Sequence, residues 1–165
     1  IAITNSDIAL ELSDAARTRI ANLQPGSCFV CNRIDVENPD FENGVLYPAG
    51  FDFFVFHADD LRKLSANGMY FGLPWWDYFL PVNLISQGIT RLPPDGIKAY
   101  HLTHADRWKR RLWRKLGVQF IRDIQSLGAA GDSTFLDDLK VPISKVPVRI
   151  DKPRKQLSAS FERRR

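Results

Sequence analysis

Gly72-Leu73-Pro74-Trp75-Trp76-Asp77-Tyr78-Phe79-Leu80 crowds two tryptophans, a tyrosine and a phenylalanine around one carboxylate. The Gly-x-Pro start breaks the extended run before it, because proline fixes φ and has no amide donor. This predicts a turn into a helix, with Pro74 near the first turn. Asp77 is then aimed from a rigid, mostly apolar platform. A carboxylate in such a setting can have a raised pKa and act as a base. The plainer alternative is that the aromatics are core and Asp77 is a first-turn carboxylate favoured by the helix dipole.

Working outward, 165 residues suit one domain, large enough to bury roughly 70% of its unfolded surface. The composition, 44% hydrophobic and 25% charged, is that of a folded protein rather than a disordered one. No run approaches the roughly 18 apolar residues of a membrane span. The start, Ile1-Ala2-Ile3-Thr4, has neither the basic region nor the apolar core of a signal peptide. It also lacks a Met and reads as a strand, from which we expect further chain upstream. A cytoplasmic protein, with membrane-peripheral contact as an option, is the expectation.

Cys28 and Cys31 have the C-x-x-C spacing of zinc and redox sites. Their surroundings read as a strand, in which positions three apart point to opposite faces. Buried strand cysteines are therefore expected, and free thiols fit a reducing compartment. The formal net charge of +4 is concentrated at Arg107 to Lys115 and in the terminal Arg163-Arg164-Arg165. Such patches suit phosphate backbones or anionic headgroups. Nucleic acid is nevertheless an unlikely partner here, since Trp108 and Leu112 suit a core and the bases a solvated face.

Along the chain, Ile1 to Thr4 reads as a strand, and Ile8 to Leu12 continues in apolar fashion. Ser13 or Asp14 caps a helix reaching about Leu23. Ser27 to Ile34 is a strand. Val45 to Tyr47 is short and extended, Pro48-Ala49-Gly50 turns, and Phe51 to Phe56 is strongly β-biased, with Asp52 its one charge. A short helix from Ala58 to Leu64 closes at Asn67-Gly68. The helix Trp75 to Gln87 contains Pro81, a site for a kink or stop. Ile89 to Leu92 and Ile97 to Leu102 are extended, and Ala105 to Leu127 is one amphipathic helix with a possible break at Gly117. Residues from about 141 onward read as an extended, linker-like basic tail. Strands alternating with helices argue an α/β fold.

Asp7, Asp52, Asp77 and the pair His101/His104 stand where strands are expected to end. Ligands gather at the carboxyl ends of strands in open α/β sheets. Asp and His together make a mixed oxygen/nitrogen site suited to Mn²⁺ or Mg²⁺. His57, alone after a strand, is structural or surface.

Asn5-Ser6-Asp7, Gly50-Phe51-Asp52-Phe53-Phe54-Val55-Phe56, Gly72-Leu73-Pro74-Trp75-Trp76-Asp77 and His101-x-x-His104, in that order, resemble the motif set of GT-A-fold glycosyltransferase-like proteins, the nucleotide-diphospho-sugar transferases. The match runs over about residues 1 to 110. The resemblance implies a partial GT-A mixed sheet flanked by helices over residues 1–140, lacking most of the N-terminal nucleotide-binding half. A basic C-terminal helix and the tail 141–165 follow. It implies that Asp7, in place of the second Asp of an Asp-x-Asp motif, and one of His101 or His104 hold the metal, and that Asp77 is the general base. Asn5 stands where the motif has its leading Asp and is implied to be a substrate-binding residue. Asp52 would face the sugar or acceptor, and Trp75 and Trp76 would offer a sugar ring an apolar face. The implied partners are a nucleotide-sugar donor and a sugar or lipid-linked hydroxyl acceptor. A metal would neutralise the diphosphate leaving group, and a base would deprotonate the acceptor. The competing reading is a non-catalytic carbohydrate- or protein-binding module on a degenerate transferase half-fold.

Overall fold

The computed structural model describes residues 1–65, 70–104 and 109–127. The expected stop at Asn67-Gly68, the helix start at 105–108 and the tail 141–165 lie outside the described residues.

The elements, in order, are β1 (Ala2–Thr4), β2 (Ile8–Leu12), α1 (Asp14–Ala21), β3 (Ser27–Val36), β4 (Val45–Phe56), a 3-10 helix (Ala58–Lys63), α2 (Trp76–Ser86), β5 (Thr90–Leu92), β6 (Ile97–Leu102) and α3 (Arg110–Leu127). The coarse α/β class holds. The sheet is mixed, in the order β1-β4-β3-β6-β2, with β5 beside the start of β3. Pairs β1/β4, β3/β4 and β2/β6 are antiparallel, whereas β3/β5 and β3/β6 are parallel. β1 is an edge strand bonded to β4.

The alternation in β3 sends its side chains to two cores. Cys28 and Val30 join one cluster with Phe54, Phe56, α2 and the buried face of α3. Phe29 and Cys31 join the other with Phe53, Val55 and Ala16 of α1. The two free thiols therefore face opposite sides of the sheet, and burial pushes both up to about 12. Ser13 caps α1 by accepting from the Ala16 amide at 3.1 Å.

Three local expectations are corrected. Val45–Tyr47 and Phe51–Phe56 belong to one strand, because the Pro48–Gly50 insertion is absorbed as an irregularity in the ladder. Asn32 makes that possible by donating from Nδ2 to the Pro48 carbonyl at 2.7 Å. Second, Asp52 is not at a strand end. Cys31 pairs with Phe53 and Asn32 with Phe51, so Asp52 is the extra residue of a bulge in mid-strand. Such a bulge re-aims a side chain and switches the faces of its neighbours. Third, α2 runs through Pro81, which merely leaves the Asp77 carbonyl without its helical donor. Similarly, α3 runs unbroken through Gly117.

α3 buries Phe120, Ile121 and Ile124 and exposes Arg110, Arg111, Arg114, Lys115 and Arg122. Among the described residues, no helix is long and apolar enough to cross a membrane.

Two outcomes check this packing. Phe120, fully buried and stacked on Trp75 at 5.2 Å between ring centroids, joins α3 to α2. Phe120→Ala lowers the unfolding free energy by about 3–5 kcal/mol in urea titration, whereas Leu61→Ala, at an exposed site, stays within about 0.5 kcal/mol. Neither Cys28 nor Cys31 reacts with a disulfide reagent at neutral pH until denaturant is added.

Candidate metal centre and its cleft

The turn between β1 and β2 presents Asn5-Ser6-Asp7. It is held from below by the bulge of β4. The Thr4 hydroxyl donates to the Asp52 carbonyl at 2.9 Å, the Asn5 amide donates to the same oxygen at 3.4 Å, and Asn5 Nδ2 donates to the Asp52 carboxylate. Asn5 is thus engaged with Asp52, and Asp7, the carboxylate of the turn, faces the histidines instead.

β6 brings the histidines to it. His101 pairs with Ile8 of β2 on one side and with Asp35 of β3 on the other. Residues paired across neighbouring strands share a face. That places His101 Nδ1 2.9 Å from Asp35 Oδ1 and its Nε2 3.8 Å from Asp7 Oδ2. Just beyond β6, the Thr103 amide donates to the Val36 carbonyl at 2.9 Å and pins the exit. His104 Nε2 then lies 2.9 Å from Asp7 Oδ2. Asp7 and His104 each keep 34% of their side-chain surface exposed, and His101 keeps 11%.

Ligand atoms of Asp7, His101 and His104 lie within 4.8 Å of one another. A metal bound at about 2.1 Å holds neighbouring ligand atoms roughly 3 Å apart. Side-chain rotation covers that difference, so the residues fit a divalent ion. Of the two expected ions, Mn²⁺ accepts imidazole nitrogen more readily than Mg²⁺, which prefers oxygen alone; two imidazoles and one carboxylate are equally the donor set of Zn²⁺ and Fe²⁺ sites. Burial raises the Asp7 carboxyl, but the His104 hydrogen bond, its own backbone amide and the charges of both histidines outweigh burial and hold it below the usual range. It is therefore ionised and available as a ligand.

The same cleft, with a volume near 660 Å³, is lined by Asp7, both histidines, Asp52 and Asp77. That is within the usual size of a small-molecule site. Trp75 sits at the start of α2 with φ of 78°, a left-handed conformation that turns the chain sharply and sends Asp77 toward the cleft. Burial pushes the Asp77 carboxyl up to about 7, and the neighbouring Asp52 carboxylate pushes the same way, against the amides of Asp77 and Tyr78. Asp52 is itself raised by burial, a shift that Arg33 and the Asn5 amide oppose.

Trp75 and Trp76 do not form an open platform. Trp75 is 2% exposed, packs on Trp113 at 4.6 Å, and donates from Nε1 to the Trp113 carbonyl at 2.9 Å. Trp76 is 5% exposed and meets the edges of Phe54 and Phe71. The indoles wall the cleft from the core, because their apolar faces find protein partners first. His57 caps the 3-10 helix and stays out of the cleft.

Two residues of this cleft were not singled out from sequence. Arg33 lies with Nη1 3.4 Å from Asp52 Oδ2 and Nε 2.8 Å from Asp35 Oδ1. The legible signal was their spacing: charges two apart, at 33 and 35, share one face of a strand.

The Asp77 shift has a definite sign in stability. The folded protein keeps this proton above the usual 3.8, up to about 7, while the unfolded chain has lost it. Its favourable contribution is complete below about pH 4 and disappears as pH rises through about 7. Relative to Asp77→Asn, the unaltered protein therefore loses stability across that window, by at most about 1.4 kcal/mol per pH unit, in parallel urea titrations. A difference that stays flat with pH contradicts the burial of Asp77. No family model, no curated protein and no solved structure matches this chain.

Proposed function

We propose that the cleft carries out metal-assisted transfer of a sugar from a nucleotide-sugar to a hydroxyl acceptor. The observation that supports this reading is one cleft holding an Asp/His/His cluster and, apart from it, a carboxylate near neutrality. Sugar transfer from a diphosphate needs two separate services, and two such groups could supply them.

Asp7, His101 and His104 would hold the ion. An ion held there, Mn²⁺ or Mg²⁺, would supply Lewis-acid neutralisation of the diphosphate leaving group. Asp77 accepts the proton of the acceptor hydroxyl. A base is most effective with a pKa close to the working pH, and burial gives Asp77 that value. Asp52, paired to Arg33 and Asn5, sits beside Asp77 and keeps its proton affinity high. The wall formed by Trp75 and Trp113 keeps this part of the cleft apolar.

The alternative, a non-catalytic carbohydrate-binding module, relies on open aromatic faces. The two indoles are buried, and that reading leaves the raised Asp77 without a role.

The test has two arms. Millimolar Mn²⁺ raises the thermal midpoint of the unaltered protein by several degrees, since saturation at about 100 times Kd contributes about 2.7 kcal/mol. Asp7→Ala and His104→Ala abolish the rise. Asp77→Asn keeps it but lowers sugar transfer about 100-fold or more, and unaltered transfer falls with acidity below about pH 7. An equal Mn²⁺ response in Asp7→Ala would end the metal assignment.

A further inference from the structure

We propose that Asp35 is a positioning residue for the cluster: it accepts a hydrogen bond from the Nδ1–H of His101 and thereby turns the Nε2 lone pair toward Asp7 and His104. This inference rests on the metal reading above for its consequence, but not for its geometry.

A neutral imidazole carries one proton, on either nitrogen, and binds a metal only through the other. In free histidine the choice is open. Here two carboxylates compete for it at unequal distances. Asp35 Oδ1 is 2.9 Å from Nδ1, within hydrogen-bond range, whereas Asp7 Oδ2 is 3.8 Å from Nε2, beyond it. The nearer acceptor wins, so the proton sits on Nδ1 and Nε2 is left bare on the cluster side. Metal-binding histidines commonly show this carboxylate behind the ring, which fixes both tautomer and orientation.

Asp35 is in turn held. Arg33 Nε approaches the same Oδ1 at 2.8 Å, and Arg33 Nη1 reaches Asp52 at 3.4 Å. Asp52 closes the circuit by binding Asn5, two residues before Asp7. The turn carrying Asp7 and the strand carrying His101 are thus tied to one guanidinium on β3. Such an arrangement keeps the ligands in place before an ion arrives, and a preformed site loses less freedom on binding.

The experiment uses the whole 165-residue chain in three forms: unaltered, Asp35→Ala, and Asp35→Asn, which keeps the side-chain size. Two quantities are read. The first is the His101 tautomer, from ¹⁵N imidazole shifts of the metal-free protein at alkaline pH. The second is Mn²⁺ affinity, from calorimetry. The expected results are Nδ1–H in the unaltered protein, a move toward Nε2–H in Asp35→Ala, and a loss of about 10- to 100-fold in Mn²⁺ affinity, with Asp35→Asn between. Asp35→Ala that keeps both tautomer and affinity overturns the inference, as does an unaltered protein with Nε2–H. A folded variant with a lower thermal midpoint and an unchanged tautomer also overturns it. If the unaltered protein binds no Mn²⁺ but its tautomer still depends on Asp35, the metal reading fails while the positioning of His101 stands.

Discussion

Asp52 is 1% exposed in the middle of the longest strand, among phenylalanines. A carboxylate there, left alone, costs several kcal/mol in lost hydration. The fold meets this with Arg33 from β3, with the Asn5 amide, and with a bulge that turns the side chain out of the apolar alternation. Much of the site geometry follows from that arrangement. The bulge switches the faces of β4, so Phe51 and Phe54 share one core and Phe53 the other. The Asn5 contact places the turn that carries Asp7. The other end of Arg33 places Asp35, and through it His101. Removing Arg33 would leave the buried Asp52 without its cation, and breaking a buried pair in this way typically costs about 3–5 kcal/mol.

The cleft sorts carboxylates by environment. Asp7 faces two imidazoles and is held ionised, whereas Asp77 sits in an apolar wall beside another carboxylate and is pushed up to about 7. Residues of one chemical type are thereby given different proton affinities, the difference on which the function proposed above draws. The aromatic residues serve this electrostatic purpose. Trp75, Trp76 and Phe120 fill the core under the cleft, so the half-buried Asp77 meets less water than an exposed carboxylate would. Their part in the site is to set the dielectric around it.

The basic face of α3 has a simpler account. Its cations are exposed, its apolar face packs against α2, and the pattern is that of an amphipathic helix laid on a core. Long cationic side chains on the outer face of such a helix need no partner beyond water.

Several elements were legible from residue order alone, because their causes are local. Ser13 caps α1, the C-x-x-C cysteines lie on opposite faces of a strand, the Gly-x-Pro entry marks the start of α2, and helical spacing marks α3. The residue types of the site were legible too: Asp7, Asp52, Asp77, His101 and His104 all line one cleft. What residue order could not supply was anything set by pairing between distant strands. The edge position of β1, the parallel β3/β6 pair that puts Asp35 beside His101, and the bulge at Asp52 depend on register. Register is a property of two chain segments at once, chosen by which faces can be buried together. The burial of Trp75 and Trp76 was decided in the same way: their chemistry is compatible with a ligand face or a core face, and only the arrival of α3 over α2 selected the core.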